Sequence, residues 1–266
     1  MRKFWSFFTI SLSNALVYRA TGFIWMLNDL GPAVASLIFW LAAFNFKPSI
    51  AGYSVFSMAI YYLGVMIIDN LVDTHPQYNL AEEIRTGEFA NYLLKPLSLT
   101  VKKIADGLSW RIARIIFVIP LLIIVTVFLK TYWVNLHFNL INLIAVIFSL
   151  IMAFFLNFFI KMTLGLSTIW FIEAGWLFTF YDIISSFFSG ELIPLDMFPS
   201  SLFHLTNYFP FKYILFFPLS LGLNRITNIQ QISFGLLIQL FWCFVFYLIY
   251  KLTLKRGIKK YDSYGG

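Results

Sequence analysis

One interval of this 266-residue chain cannot lie in hydrocarbon, and nearly everything around it can. Between residues 79 and 106, NLAEEIRTGEFANYLLKPLSLTVKKIAD, the side chains of Glu82, Glu83, Arg85, Glu88, Lys95, Lys102, Lys103 and Asp106 crowd together. Gly87 and Pro96 cut the interval into two short helical pieces. An ionised group at mid-bilayer costs roughly 2.5–3.5 kcal/mol even on the most permissive insertion scale, so the interval has to sit in water between two spans. The remainder fits a membrane: 60% of residues are hydrophobic and 12% charged, against about 25% charged in soluble domains. The expected fold class is therefore an all-α integral membrane protein in one permease-sized domain, 1–266.

The chain reads as six spans, roughly 22–44, 53–72, 112–129, 138–160, 162–188 and 232–250, each near the 20 residues a helix needs to cross. Residues 1–21 precede them with Phe4, Phe8, Leu12, Ala15 and Leu16 at helical spacing behind Arg2 and Lys3, the pattern of an amphipathic helix lying on the membrane surface. A cleaved signal peptide is the competing reading, but polar residues interrupt its apolar core. An even span count puts both termini on one side. Of the 19 Lys and Arg residues, fifteen fall on the side of the termini and four (Lys47, Lys130, Lys212, Arg225) on the other, which makes the termini, the loop 73–111 and the tail 251–266 cytoplasmic. The tail end YDSYGG reads as disordered.

Residues 189–225 are apolar yet carry Pro194, Pro199, Pro210 and Pro218, a density that forbids one straight spanning helix. Short helices entering the outer leaflet and returning, beginning at Gly190, satisfy both features if protein covers the broken backbone. A seventh span near 209–223 would put the basic tail outside and oppose the charge bias. The net charge of +7 is spread along the chain with no nucleic-acid motif, so no nucleic-acid partner is expected. Cys243 is the single cysteine, reads as a buried apolar residue, and leaves neither an intrachain disulfide nor a multi-cysteine metal site.

Two stretches resemble one family, the membrane subunits of type-2 ABC exporters, and within it the bacterial six-span permeases made as separate chains. IRTGEFANYLLKP, residues 84–96, is similar to that family's cytoplasmic signature of Gly, an apolar residue, Tyr-Leu-Leu, a basic residue and Pro. SGELIPLDMFP, followed by YFPFKY and FFP within 189–218, is similar to the family's outer hairpin. The resemblance implies that residues 80–95 form a coupling helix docking on a separate ATP-binding subunit, through Glu82, Glu83, Arg85, Gly87, Glu88, Tyr92 and Lys95. It also implies a second permease copy, identical or related, and a bacterial plasma membrane location. This chain has no GxxxxGK[ST] loop, so ATP and Mg are expected on the partner, no cofactor on this chain, and no enzymatic activity in it.

Ionisable residues within apolar runs are functional-site candidates by default. Glu173 falls about eleven residues into the fifth span, roughly 16 Å deep, as a pathway residue or as a structural glutamate between helices. Asp182, nine residues on, is expected at the outer interface. Asp29 and Asn157 are weaker candidates for the same pathway or a subunit interface. Asp69, Asp73 and His75 at the end of the second span read as solvated charge. A membrane-embedded transferase acting on lipid-linked substrates is a competing function, but residues 45–52 and 130–137 hold no carboxylate. An ion-coupled secondary transporter with Glu173 as proton carrier is another, and would need no ATPase.

Overall fold

Inside lipid a backbone has to satisfy its own hydrogen bonds, which for a chain this apolar leaves helices. The computed structural model describes residues 2–45, 47–94, 98–128, 140–171 and 173–261, with the side chains at 2, 19, 21–23, 25, 26, 28–30, 114, 116–118 and 120–128 outside that description. Among the described residues the regular elements are all helical. They are α1 (Arg2–Val17), α2 (Arg19–Phe44), α3 (Val55–Val72), α4 (Pro76–Arg85), α5 (Ala90–Leu94), α6 (Leu99–Phe128), α7 (Leu140–Leu166), α8 (Gly175–Phe188), α9 (Ser200–Thr206), α10 (Phe216–Gly222) and α11 (Ile229–Lys260).

Among the described residues, three stretches are long and apolar enough to cross a membrane: Val55–Arg85, which joins α3 to α4, Leu140–Ile169, and Ile229–Lys260. Gly31–Phe44 and Phe211–Gly222 are shorter apolar helices. Helix α7 is the hub, packed against α3, α4, α10 and α11. Its first half turns Leu140, Ile144, Ile147 and Ile151 outward, while its second half from Ala153 to Met162 buries nearly every side chain. Helix α1 packs along α6, where the Ser109 hydroxyl donates to the Phe8 carbonyl at 2.9 Å and Ser11 donates to Asp106. It stops at Tyr18, whose φ and ψ of −91° and 35° are not helical.

The expected boundary between a fourth and a fifth span at residues 160–162 is corrected. No Gly or Pro stands there to turn the chain, so α7 runs through to Leu166 and continues as a 3-10 turn over Ser167–Ile169. The break falls instead before Gly175, and α8 is only 14 residues, about 21 Å at 1.5 Å per residue. That is short of the roughly 30 Å hydrocarbon core, so any crossing by α8 has to be continued by the residues next to it.

The hairpin is built from short pieces, the first three of them opened by a proline. Pro194, Pro199 and Pro210 immediately precede the 3-10 turn Leu195–Met197, helix α9 and the 3-10 turn Phe211–Tyr213, where a missing N–H costs nothing. Gly190 makes the initial bend with φ +90°, and a Cβ there would come within 2.7 Å of the Tyr61 hydroxyl. Tyr61 donates to the Gly190 carbonyl at 2.6 Å and Tyr62 to the Leu192 carbonyl at 2.6 Å, hanging the hairpin from α3. Farther along, Asp196 accepts from Tyr53 at 2.7 Å and from Arg225 at 2.9 Å. Tyr261 does not belong to a loose tail: its ring stands 4.9 Å from that of Phe89, which is buried.

Candidate functional site

The described residues enclose a cavity of about 720 Å³ between α3, α6, α7, α8 and the base of the hairpin. It exists because α3 stops short. Asp73 caps α3 with extended backbone, and Arg111 of α6 donates to the carbonyls of Leu71 at 2.6 Å and Val72 at 2.7 Å, and also to that of Asp73. A guanidinium on the last carbonyls of a helix answers both their missing partners and the negative end of the dipole. The same group lies 4.4 Å above the Phe154 ring.

The Asp73 carboxylate then turns into the cavity wall. Its Oδ1 accepts from Lys161 Nζ at 2.5 Å and from Asn157 Nδ2 at 2.8 Å, while Oδ2 lies 3.0 Å from His75 Nε2. Tyr181 donates to Asn157 Oδ1 at 3.2 Å, and Asp182 stands 3.8 Å from Lys161. A buried ion pair is tolerated only when further hydrogen bonds complete it, and Asn157 and His75 do so here.

These positions correct several expectations. Asp73 is a buried partner of Lys161, not solvated charge at a helix end. Asp182 faces the cavity instead of an outer interface, because α8 starts thirteen residues later than an unbroken span would. Asn157 lies in the same wall as Asp73. Glu173 is not in a spanning helix at all: it is exposed in the connector between the 3-10 turn and α8, outside the cavity lining. The backbone of Asp29 belongs to α2, and its side chain lies outside the described residues. Lys161, Arg111 and Glu191 went unrecognised. The signal for Lys161 was present, a lone cation inside the unbroken apolar run NFFIKMTLGL that needed a carboxylate partner from elsewhere.

A second surface rises from the cavity's open end. Helix α4 starts at Pro76 and lies so close on α7 that a Cβ on Gly165 would fall 2.9 Å from Gln77 Cα. Gln77, Leu80, Ala81 and Ile84 are buried by that contact. Gly87, at φ +82°, turns the chain into α5, as its place in the sequence predicts. Glu82 and Arg85 pair on the outer side of α4, and Glu88, Asn91, Leu93 and Leu94 are exposed, Leu94 to 84%.

Glu83 and Tyr92 point the other way. Glu83 binds Lys103 at 2.9 Å and lies 3.7 Å from Lys102, and the Tyr92 hydroxyl sits 3.1 Å from Glu83 and accepts from Lys102 at 2.9 Å. Burial, reinforced by the Glu83 charge, pushes the Tyr92 hydroxyl above its usual range and keeps it a donor. Burial pulls the Lys103 ammonium down, against the opposing pull of Glu83. These four side chains brace the α4–α5 turn on α6. Phe89 against Tyr261 ties the turn to the end of α11, and Thr100 of α6, at 2.7 Å from the Tyr250 hydroxyl, ties α6 to α11. Lys95 lies outside the described residues.

An all-helical chain with membrane-length apolar helices, a polar-lined cavity among them and an apolar, proline-broken hairpin at the cavity's base defines a polytopic membrane protein. The chain belongs to the ABC-2 family transporter proteins, whose family model matches residues 30–265. The match takes in the cavity, the α4–α5 turn and the proline-rich hairpin. No curated protein and no solved structure matches the chain.

Proposed function

We propose that this chain is the membrane-spanning permease subunit of an ATP-driven ABC exporter, coupled to a separate ATP-binding subunit through the α4–α5 turn. In this reading α2, α3, α6, α7, α8 and α11 provide six spans, α1 lies on the inner surface, and both termini are cytoplasmic. Two permease copies line the route, and ATP and Mg are held by the partner subunit.

The observation that carries the proposal is the double character of α4. One face is sealed onto α7 and the other presents Glu82, Arg85 and, past the turn, Glu88 and Leu94 to solvent. Its first residues, Pro76, Tyr78 and Asn79, are also part of the cavity wall. A partner that grips the outer face and moves α4 therefore reshapes the cavity directly, without a relay through flexible chain.

Affinity purification of the tagged chain from its native membrane tests the proposal. An ATP-hydrolysing subunit is expected to copurify, and Leu94→Asp combined with Glu88→Lys is expected to lower its recovery by about tenfold, the size of a hot-spot loss. Membrane insertion, read from the amount of permease in the membrane fraction, is expected to be unchanged. Equal recovery from the double variant overturns the assignment of this face.

A further inference from the structure

We infer that the cavity binds an amphipathic organic cation, an inference that names the substrate class of the permease proposed above and rests on that reading. Five carboxylates line the cavity (Asp69, Asp73, Asp106, Asp182 and Glu191), against three permanent cations (Lys103, Lys161 and Arg111). Asp and Glu side chains thus outnumber Lys and Arg in the lining by 5 − 3 = 2.

The cations are moreover turned to protein groups. Lys103 is held by Glu83, which is not part of the lining, Lys161 sits 2.5 Å from Asp73, and Arg111 is spread over helix-end carbonyls. Asp182 is a longer 3.8 Å from Lys161, and among the described residues no Lys or Arg pairs with Glu191. Glu191, which follows the Gly190 bend, is thus a lining carboxyl group with no Lys or Arg partner among the described residues. Burial pushes the Glu191 carboxyl above its usual range, so a cation bound beside it favours the ionised form, whereas an anion is repelled by it.

The rest of the lining suits an apolar body attached to that charge. Ile68, Ile214 and Leu215 supply apolar wall, and Trp110 and Tyr78 supply aromatic side chains. A volume near 720 Å³ lies within the roughly 300–1,000 Å³ of sites that enclose drug-sized molecules.

Tetraphenylphosphonium and tetraphenylborate, ions of matched size and shape but opposite charge, isolate this property. Binding of each to the full-length chain in lipid nanodiscs is measured by equilibrium dialysis, with empty nanodiscs as background. The expected result is saturable tetraphenylphosphonium binding about tenfold or more tighter than tetraphenylborate. Glu191→Gln and Asp182→Asn are each expected to weaken it by about tenfold while the melting temperature holds. Should one variant fail to fold, the other carries the comparison. Equal affinity for the two ions, tighter borate, or unchanged affinity in the folded variants overturns the inference. Loss of the copurifying ATPase reading with cation selectivity intact would remove the exporter proposal and not the cavity's preference, whereas an ATPase that copurifies with a chain indifferent to charge would remove only the substrate class.

Discussion

Asp73 has to be charged and buried at the point where α3 ends, and each neighbour answers part of that demand. Lys161 neutralises it at 2.5 Å, Asn157 and His75 take the remaining lone pairs, and Arg111 occupies the helix carbonyls beside it. The Lys161 side chain is 5% exposed and Asp73 19%, so solvent screens the pair little. Removing one partner from such a pair strands the other, which generally costs about 3–5 kcal/mol, whereas removing both costs much less. Lys161→Met is therefore expected to lower the melting temperature sharply and to shift the protein into aggregates on size-exclusion chromatography. Asp73→Asn placed on top of Lys161→Met is expected to recover more than half of the loss. A single variant as stable as the parent protein would mean that this charge is not buried as described. Asp182 and Glu191 differ in kind, since each borders the cavity without a cation as close as Lys161 is to Asp73.

Elements whose limits are set by local chemistry were legible from the residues alone. Gly87 turns α4 into α5 where a residue with positive φ is needed, and the first three short pieces of the hairpin open on prolines that ruled out a straight span. The cavity was not legible, because its charges arrive from α3, α6, α7 and α8 and only packing brings them together. Spans at 138–160 and 162–188 leave Lys161 between them, whereas a cation in an apolar run with no turn residue is equally a demand for a buried anion. The short α8 followed from the same error, and so did the depth assigned to Glu173. Contacts between α11 and the α4–α5 turn were also invisible, since Phe89 and Tyr261 lie far apart in sequence and touch through a ring separation of 4.9 Å. This contact makes the turn part of a rigid unit with α11. A double-mutant cycle with Phe89→Ala and Tyr261→Ala is expected to give a coupling of about 0.5–1.5 kcal/mol in thermal unfolding, the range for an aromatic pair. Strictly additive effects would show that the two rings do not support one another.

The molecule as a whole has a polar end and a covered end, and the proposed mechanism assigns each a side of the membrane. On the α4 side, the braced turn, the cavity mouth and the basic end of α11 with Lys259 and Lys260 lie where cytoplasmic charge belongs. On the other, the hairpin hangs from Tyr53, Tyr61 and Tyr62 and is closed by Asp196 and Arg225. This gives the cavity a floor that the α4 end does not have. Export through it would require the hairpin contacts to release after α4 has moved, so the two ends must face different compartments. Cysteine labelling in intact cells tests that polarity, and the buried Cys243 can be replaced by Ala to leave a silent background. Thr86→Cys, exposed beside Gly87, is expected to react only with a membrane-permeant maleimide, and Ser201→Cys in α9 also with an impermeant one. The reverse pattern would put the α4–α5 turn outside, away from any ATP, and no ATP-driven coupling could then act on α4.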